Sequence, residues 1–332
     1  MSTVNSLRAD RRNGQVVTSR VLIVKPHGGL SNRVRVIASF QLLARYTDRA
    51  FRVCWAPSEG FSNETLDELF DNEFDQVDLA EYARSADQGP RLERFKTHRG
   101  DASGVSAISI AAMSGLGAEP ILTYTGCFRL DVALRQLPDL PASFESEYRT
   151  AVRTWRPVES IRASVDSIAR HFDSSTIGVH ARRGDALVDP VNRGKARRST
   201  DAAFFRRMDA LLTTNRRTRF FLATDSEDTE ARFLNRYGDR IHTNDAKRFV
   251  PSDFLEPKEN QRDAVVDLFA LARTNSILGS NASSFSQLAG AIGDVPVKRV
   301  AHHSLLHLAR NKLILESQRL RRRTPAVGQG AD

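Results

Sequence analysis

Cysteine is scarce in this chain of 332 residues, which carries only Cys54 and Cys127. Two thiols cannot build a disulfide framework, so a reducing, cytoplasmic compartment is the expectation. The first twenty residues lack the apolar core of a signal peptide. No run of strongly apolar residues is long enough to cross a bilayer; the best window, 105–122, is broken by Glu119 and Pro120. Several catalytic signatures are missing as well. The chain has no G-x-S-x-G elbow, which argues against a Ser–His–Asp hydrolase. It has neither the G-x-G-x-x-G dinucleotide fingerprint nor the GK[ST] of a P-loop. It lacks a Cys pair at ligand spacing and an Asp-x-Asp after a strand, so no metal is expected.

What the chain does have is a core and an excess of positive charge. It is 40% hydrophobic and 27% charged, with 49 Lys and Arg against 40 Asp and Glu, a net +9. The length suits one large domain or two of ordinary size. The charge is unevenly placed. Residues 1–20 carry Arg8, Arg11, Arg12 and Arg20 against Asp10, a net +3. Residues 298–325 carry eight Lys and Arg, among them Arg321, Arg322 and Arg323, against Glu316, a net +7. Asp332 subtracts one, so the stretch 21–297 is neutral as a group. Basic ends are read either as solvated tails and a polar helix face or as a contact with a membrane surface or polyanion.

Arg20–Lys25 (RVLIVK) predicts a buried strand, and the apolar spacing of Val34, Ile37, Ala38 and Leu42 predicts a helix over 31–46, with Ser31 as its cap. Phe51–Trp55 predicts a second strand. Strand, glycine turn, helix and strand open a doubly wound α/β unit. From Ser58 to about Gly117 the pattern is weak; Pro120–Tyr124 predicts a further strand and 142–156 a helix. Pro157 marks the expected boundary between halves. Beyond it, strands are expected at 176–180, 219–224, 240–243 and 276–279. Helices are expected at 158–172, 201–214, 227–237, 261–273, from 286 to 292, and at 302–323. The expected organisation is a basic tail over 1–19, Rossmann-like halves over 20–156 and 157–300, a basic helix over 301–323, and a tail over 324–332.

Four polar clusters each follow a predicted parallel strand, the edge where open α/β sheets bind ligands. The first is His27-Gly28-Gly29-Leu30-Ser31-Asn32-Arg33, a glycine turn into a helix start that suits an anion or is a plain tight turn. The second is His180-Ala181-Arg182-Arg183-Gly184-Asp185. So many charges at the end of an apolar strand are costly unless paired or used. They serve phosphate oxygens, or Asp185 holds an Arg structurally. The third is Thr224-Asp225-Ser226, a carboxylate for ribose hydroxyls or for a neighbouring Arg, or else a helix N-cap. The fourth is Asp267 with Ser280-Asn281-Ala282-Ser283-Ser284-Phe285-Ser286, where a helix start cradles phosphate and a carboxylate on an apolar helix needs a donor such as a guanine N1–H/N2–H edge, or else the segment is an N-cap box beside a capped carboxylate. Together the four describe a nucleoside diphosphate site.

These residues resemble a known family. GGLSNR at Gly28–Arg33, HARRGD at His180–Asp185, FLATDS at Phe221–Ser226 and SSFS at Ser283–Ser286 are similar, in order and spacing, to the motifs of GDP-fucose-dependent fucosyltransferases. The closest group contains the nodulation and core α-1,6-fucosyltransferases, the α-1,2-fucosyltransferases and the protein O-fucosyltransferases. The resemblance implies an α/β GT-B-like fold, two Rossmann-like domains facing a cleft. It implies a bacterial-type enzyme that transfers L-fucose from GDP-β-L-fucose to a glycan hydroxyl, with inversion and without metal or other cofactor.

The resemblance places Arg182 on the β-phosphate, His180 on the guanosine, Asp267 on guanine, and Ser284, Phe285 and Ser286 on the phosphates. Gly28, Gly29 and Asn32 would lie near the pyrophosphate and fucose. Arg33, Arg183, Asp185, Asp225 and Ser283 complete the expected donor contacts. Departures stand beside these matches: Ser226 occupies a position that is often acidic in the α-1,6 group, and no general base is secure among Asp185, Glu59, Glu64 and Asp101. Another GDP-sugar as donor is an alternative reading, as is a non-catalytic sugar-nucleotide or polyanion binder. The acceptor would be a glycan, lipid-linked or on a surface polysaccharide. The basic end would meet an anionic membrane, and no nucleic-acid partner is expected.

Overall fold

The computed structural model describes residues 20–57, 64–86, 91–93, 114, 121–125, 139–183, 199–247, 249, 261–281 and 283–301. The chain divides into two compact units, Met1–Thr154 and Trp155–Asp332. The basic tail expected over 1–19 and, apart from Ala301, the segments 301–323 and 324–332 lie outside the described residues.

The first unit opens with β1 (Val21–Pro26), α1 (Leu30–Tyr46) and β2 (Ala50–Val53), followed by the short helices α2 (Leu66–Leu69) and α3 (Leu79–Ala86). Then come β3 (Arg91–Glu93), β4 (Ile121–Thr125) and α4 (Phe144–Arg153). The strands form one parallel sheet in the order β2-β1-β4-β3. Leu22, Ile23 and Val24 are buried at its centre, as a strand covered on both faces requires. Helix α1 buries Val34, Ile37, Phe40 and Leu43. Its cap is Gly29, not Ser31: Gly29 is extended at φ −66°, and its carbonyl accepts from the N–H groups of Asn32 and Arg33. The helix therefore starts one residue earlier than the sequence suggests, and Ser31 is buried inside it. Gly28, at φ 80°, makes the left-handed turn that joins β1 to α1.

The second unit contains α5 (Glu159–Ala169), β5 (Thr176–Ala181), α6 (Asp201–Thr214), β6 (Arg219–Thr224) and α7 (Glu227–Tyr237). It continues with β7 (Ile241–His242), α8 (Gln261–Leu271), β8 (Ser276–Ser280), α9 (Ser284–Gly293) and β9 (Val297–Val300). Its parallel sheet has the order β7-β6-β5-β8-β9. Val179, Phe220, Leu222 and Leu278 pack from the sheet against Phe204 and Met208 of α6 and Phe233 of α7.

The second sheet has a point where successive connections change direction, between β5 and β8. Loops at the carboxyl ends of strands flanking such a point splay apart and leave a crevice for ligand. The expected α/β class, built from Rossmann-like halves, is the one observed. Among the described residues no helix is long and apolar enough to cross a membrane.

Candidate functional site

His180 is buried near the carboxyl end of β5, and Arg182 is the first residue beyond that strand. Ser280 ends β8, the neighbour across the change of direction. The Ser280 hydroxyl donates to the His180 carbonyl at 3.1 Å and accepts from the Arg182 N–H at 3.0 Å. From the other side, the Thr224 hydroxyl at the end of β6 donates to the Ala181 carbonyl at 2.7 Å. The next residue, Asp225, accepts the Arg183 N–H at 2.6 Å. The backbone from 180 to 183 is thus tied to both neighbouring strands, which fixes where Arg182 begins. Asp225 and Ser226 divide the roles the sequence left open: Asp225 holds Arg183, and the Ser226 hydroxyl caps α7 by accepting from the Thr229 N–H.

Helix α9 starts at the same edge. Its N-cap is Ser283, yet the Ser283 hydroxyl makes no capping bond. It lies 3.3 Å from Nδ1 of His180 instead. The Ser283 hydroxyl therefore does not compete for the helix start, a place whose N–H groups and dipole suit an anion. Phe285, in that first turn, stacks on the His180 ring at 4.8 Å between centroids. Ser286 points inward and is buried under the sheet, where a Cβ on Gly279 would meet its hydroxyl at 2.3 Å. Burial, reinforced by the positive charges of Arg182, Lys247 and Arg183, pushes the His180 imidazole down to about 3. The ring is neutral near pH 7 and cannot serve there as a strong base.

Asp267 sits on α8, buried. Lys247 contacts its Oδ2 at 2.7 Å and donates to the Thr224 carbonyl at 2.6 Å. The sequence reading anticipated that Asp267 needs a donor but did not find Lys247, which lies in a turn after β7 and belongs to no motif.

Two arginines expected at the donor have their guanidinium groups engaged within the protein. Arg33 is fully buried; its guanidinium donates to the Gly28 carbonyl at 3.0 Å and the Ala56 carbonyl at 2.9 Å, and lies over the Trp55 ring. It braces the glycine turn from behind and offers no exposed surface to a donor. Arg183 spends its guanidinium on the Asp201 carboxylate at 2.5 Å and on the carbonyls of Ser199 and Arg182, above the Phe204 ring. Its carboxylate partner among the described residues is Asp201, where the sequence reading offered Asp185. Asp185 itself, like Glu59 and Asp101, lies outside the described residues. Gly28, Gly29 and Asn32 form the turn at the carboxyl end of β1 in the first unit. His180, Arg182, Asp225, Asp267 and Ser283–Ser286 gather in the second. Among the described residues no group of three or more His, Cys, Asp or Glu side chains could hold a metal ion.

No protein-family model and no curated sequence matches the chain. Solved structures do. NodZ α-1,6-fucosyltransferase soaked with GDP-fucose is similar at TM-score 0.55 and 17% identity, over 87% of this chain and 96% of that one. An Arabidopsis thaliana FUT1 point mutant in complex with GDP is similar at TM-score 0.55 and 12% identity, over 86% of this chain and 71% of that one. POFUT1 in complex with GDP-fucose gives TM-score 0.51 and 12% identity, over 85% of this chain and 98% of that one. The chain has the fold of these fucosyltransferases.

Proposed function

We propose that this protein is a glycosyltransferase that moves L-fucose from GDP-β-L-fucose to a glycan hydroxyl, with inversion and without a metal. One observation carries the reading. Arg182 at the end of β5 and the uncapped start of α9 at the end of β8 flank the point where the second sheet changes direction, and Ser280 joins them. A diphosphate is the ligand whose charge suits a guanidinium and a helix N-terminus side by side. The fold shared with NodZ, solved after soaking with GDP-fucose, and with POFUT1, solved in complex with it, supports that donor.

The chemistry follows from charge. As the sugar C1–O bond breaks, negative charge grows on the leaving β-phosphate oxygen. Arg182 and the α9 N–H groups stabilise it in a fixed arrangement, so little reorganisation is needed at the moment of cleavage. Neutral His180, held by Ser283 and Phe285, packs beside the guanosine, and Asp267 receives the N–H groups of the base. The glycine turn at Gly28 and Gly29 in the first unit is of the kind that lets backbone approach a ligand closely. The acceptor is a glycan, and the basic residues at 298–325 hold the enzyme against an anionic cytoplasmic membrane where a lipid-linked or surface glycan would be built.

Calorimetry with GDP and GDP-fucose, followed by assays of transfer and donor hydrolysis, tests the reading. Wild type is expected to bind both and to release GDP. Arg182→Ala should lower turnover by roughly 10²–10³-fold while the chain stays folded. Wild-type turnover in that variant would remove Arg182 from the mechanism, and absence of GDP binding in the wild type would remove the transferase reading altogether. GDP-mannose turned over in place of GDP-fucose would transfer the assignment to another GDP-sugar.

A further inference from the structure

In the Lys247–Asp267 ion pair, buried at this edge, the chemistry above gives Asp267 a role and Lys247 none. The two side chains are 12% and 4% exposed, and they meet at 2.7 Å. Lys247 binds one carboxylate oxygen, Oδ2, and also donates to the Thr224 carbonyl at the end of β6. The second oxygen, Oδ1, is buried and accepts no hydrogen bond among the described residues. Asn244, just before Lys247 in the same turn, is also buried. Its amide faces the Asp267 carboxylate and helps to hold it charged, while neither Nδ2 nor Oδ1 closes a hydrogen bond of full geometry. A buried carboxylate oxygen so loosely satisfied is expensive unless a ligand completes it.

Taking Asp267 as the carboxylate that meets the base, as proposed above, we infer that Lys247 is a positioning residue for nucleobase selection. It clamps Oδ2 so that Oδ1 stays an acceptor for a base edge that carries N–H donors, with the Asn244 amide available to the carbonyl beside them. A guanine edge offers those donors and that carbonyl; an adenine edge presents an unprotonated ring nitrogen where guanine has N1–H. A carboxylate accepts only, whereas a carboxylic acid also donates, so its charge state selects the edge.

The surroundings explain why a lysine is required. Burial pushes the Asp267 carboxyl up; Lys247 pulls it down by charge and hydrogen bond, Asp263 on α8 pushes it up again, and Asn244 adds a smaller pull downward. Glu230 on α7 is likewise raised by burial, with Asp267 and Asp245 adding to the rise and Lys247 opposing it. The charge of Lys247 also acts on His180 from β5. One ammonium therefore serves a crowded set of carboxylates, and without it Asp267 would take up a proton.

The test is the ratio of GDP to ADP affinity by calorimetry from pH 6 to 8.5, since the shared diphosphate cancels. Wild type should prefer GDP with a ratio independent of pH. Lys247→Gln keeps a donor to Thr224 and Asp267 without the charge. Its ratio should fall roughly tenfold or more at pH 6, the loss expected for one hydrogen bond to a charged group, and recover as pH rises. Lys247→Arg should restore a flat profile. A ratio in Lys247→Gln that matches wild type at every pH overturns the inference. If that variant does not fold, a wild-type ratio that declines between pH 8.5 and 6 overturns it equally, because Lys247 would then not hold the charge. Asp267→Asn separates the two levels: an unchanged ratio there refutes base reading by Asp267 itself, whatever Lys247 does.

Discussion

A buried imidazole is a stability device with a pH signature. His180 is pushed down to about 3 by burial first and by Arg182, Lys247 and Arg183 after it. An unfolded chain binds a proton at an ordinary histidine near 6.5, while the folded one does not, so its stability falls as pH drops from 6.5 toward 3. The slope is at most about 1.4 kcal/mol per pH unit. In His180→Gln that loss disappears, so its unfolding free energy should gain on wild type by about 2–3 kcal/mol between pH 7 and 4.5. Urea unfolding at a series of pH values measures it; a gap that does not change with pH would show that the folded imidazole protonates freely. His180 itself was readable from sequence, because a polar residue closing an apolar strand stands out. The partners of the charged residues were not. Arg33 and Arg183 look like phosphate ligands until their burial against Ala56, Trp55 and Asp201 is known. Lys247 looks like nothing at all, since its pairing with Asp267 spans twenty positions and arises only when β6, β7 and α8 are assembled.

At the scale of elements, the start of α9 can act as an anion site only if the helix is seated firmly on its neighbours. Its last residue, Gly293, lies against the end of α8's turn, where a Cβ would meet the Ala272 carbonyl oxygen at 2.0 Å. Backbone cannot yield as a side-chain tip can. Gly293→Ala is therefore expected to cost about 1–3 kcal/mol, with thermal unfolding lowered by several degrees. It should also weaken GDP binding by displacing the N-terminal turn of α9. Gly29→Ala is the control, because nothing lies within 4 Å of its Cβ position, and its unfolding should match wild type. Equal melting of Gly293→Ala and wild type would mean that α9 is seated less tightly than the geometry requires. Elements of this kind were legible where composition and burial agree. Runs such as VLIVK and RFFLAT are apolar because both faces of a parallel strand are covered. The edge strand β9 escaped because a half-exposed strand tolerates charge: it reads Val-Lys-Arg-Val, with Lys298 and Arg299 exposed. Helix α2 escaped because a single acidic turn is too short to show apolar periodicity.

For the molecule as a whole, charge and site are separate. The arginines and the lysine that shape the donor edge belong to a stretch, 21–297, that is neutral in sum, so the net +9 does no work there. It resides in the ends, above all in Arg319, Arg321, Arg322 and Arg323. Near an anionic leaflet each such residue contributes about 1 kcal/mol, and the attraction decays within a Debye length. A donor site that needs no net field and an end that has one suit an enzyme held at a surface where its acceptor is anchored. Deletion of residues 319–332 should then reduce sedimentation with phosphatidylserine-containing vesicles but not with phosphatidylcholine alone, while GDP affinity stays that of the full chain. Raising ionic strength should release the full chain from the same vesicles. If the truncated protein sediments as well as the full chain, the surplus charge is a solubilising feature and the membrane is not where the acceptor is met. If short nucleic acids compete for the full chain with a steep salt dependence, the basic end is a general polyanion contact.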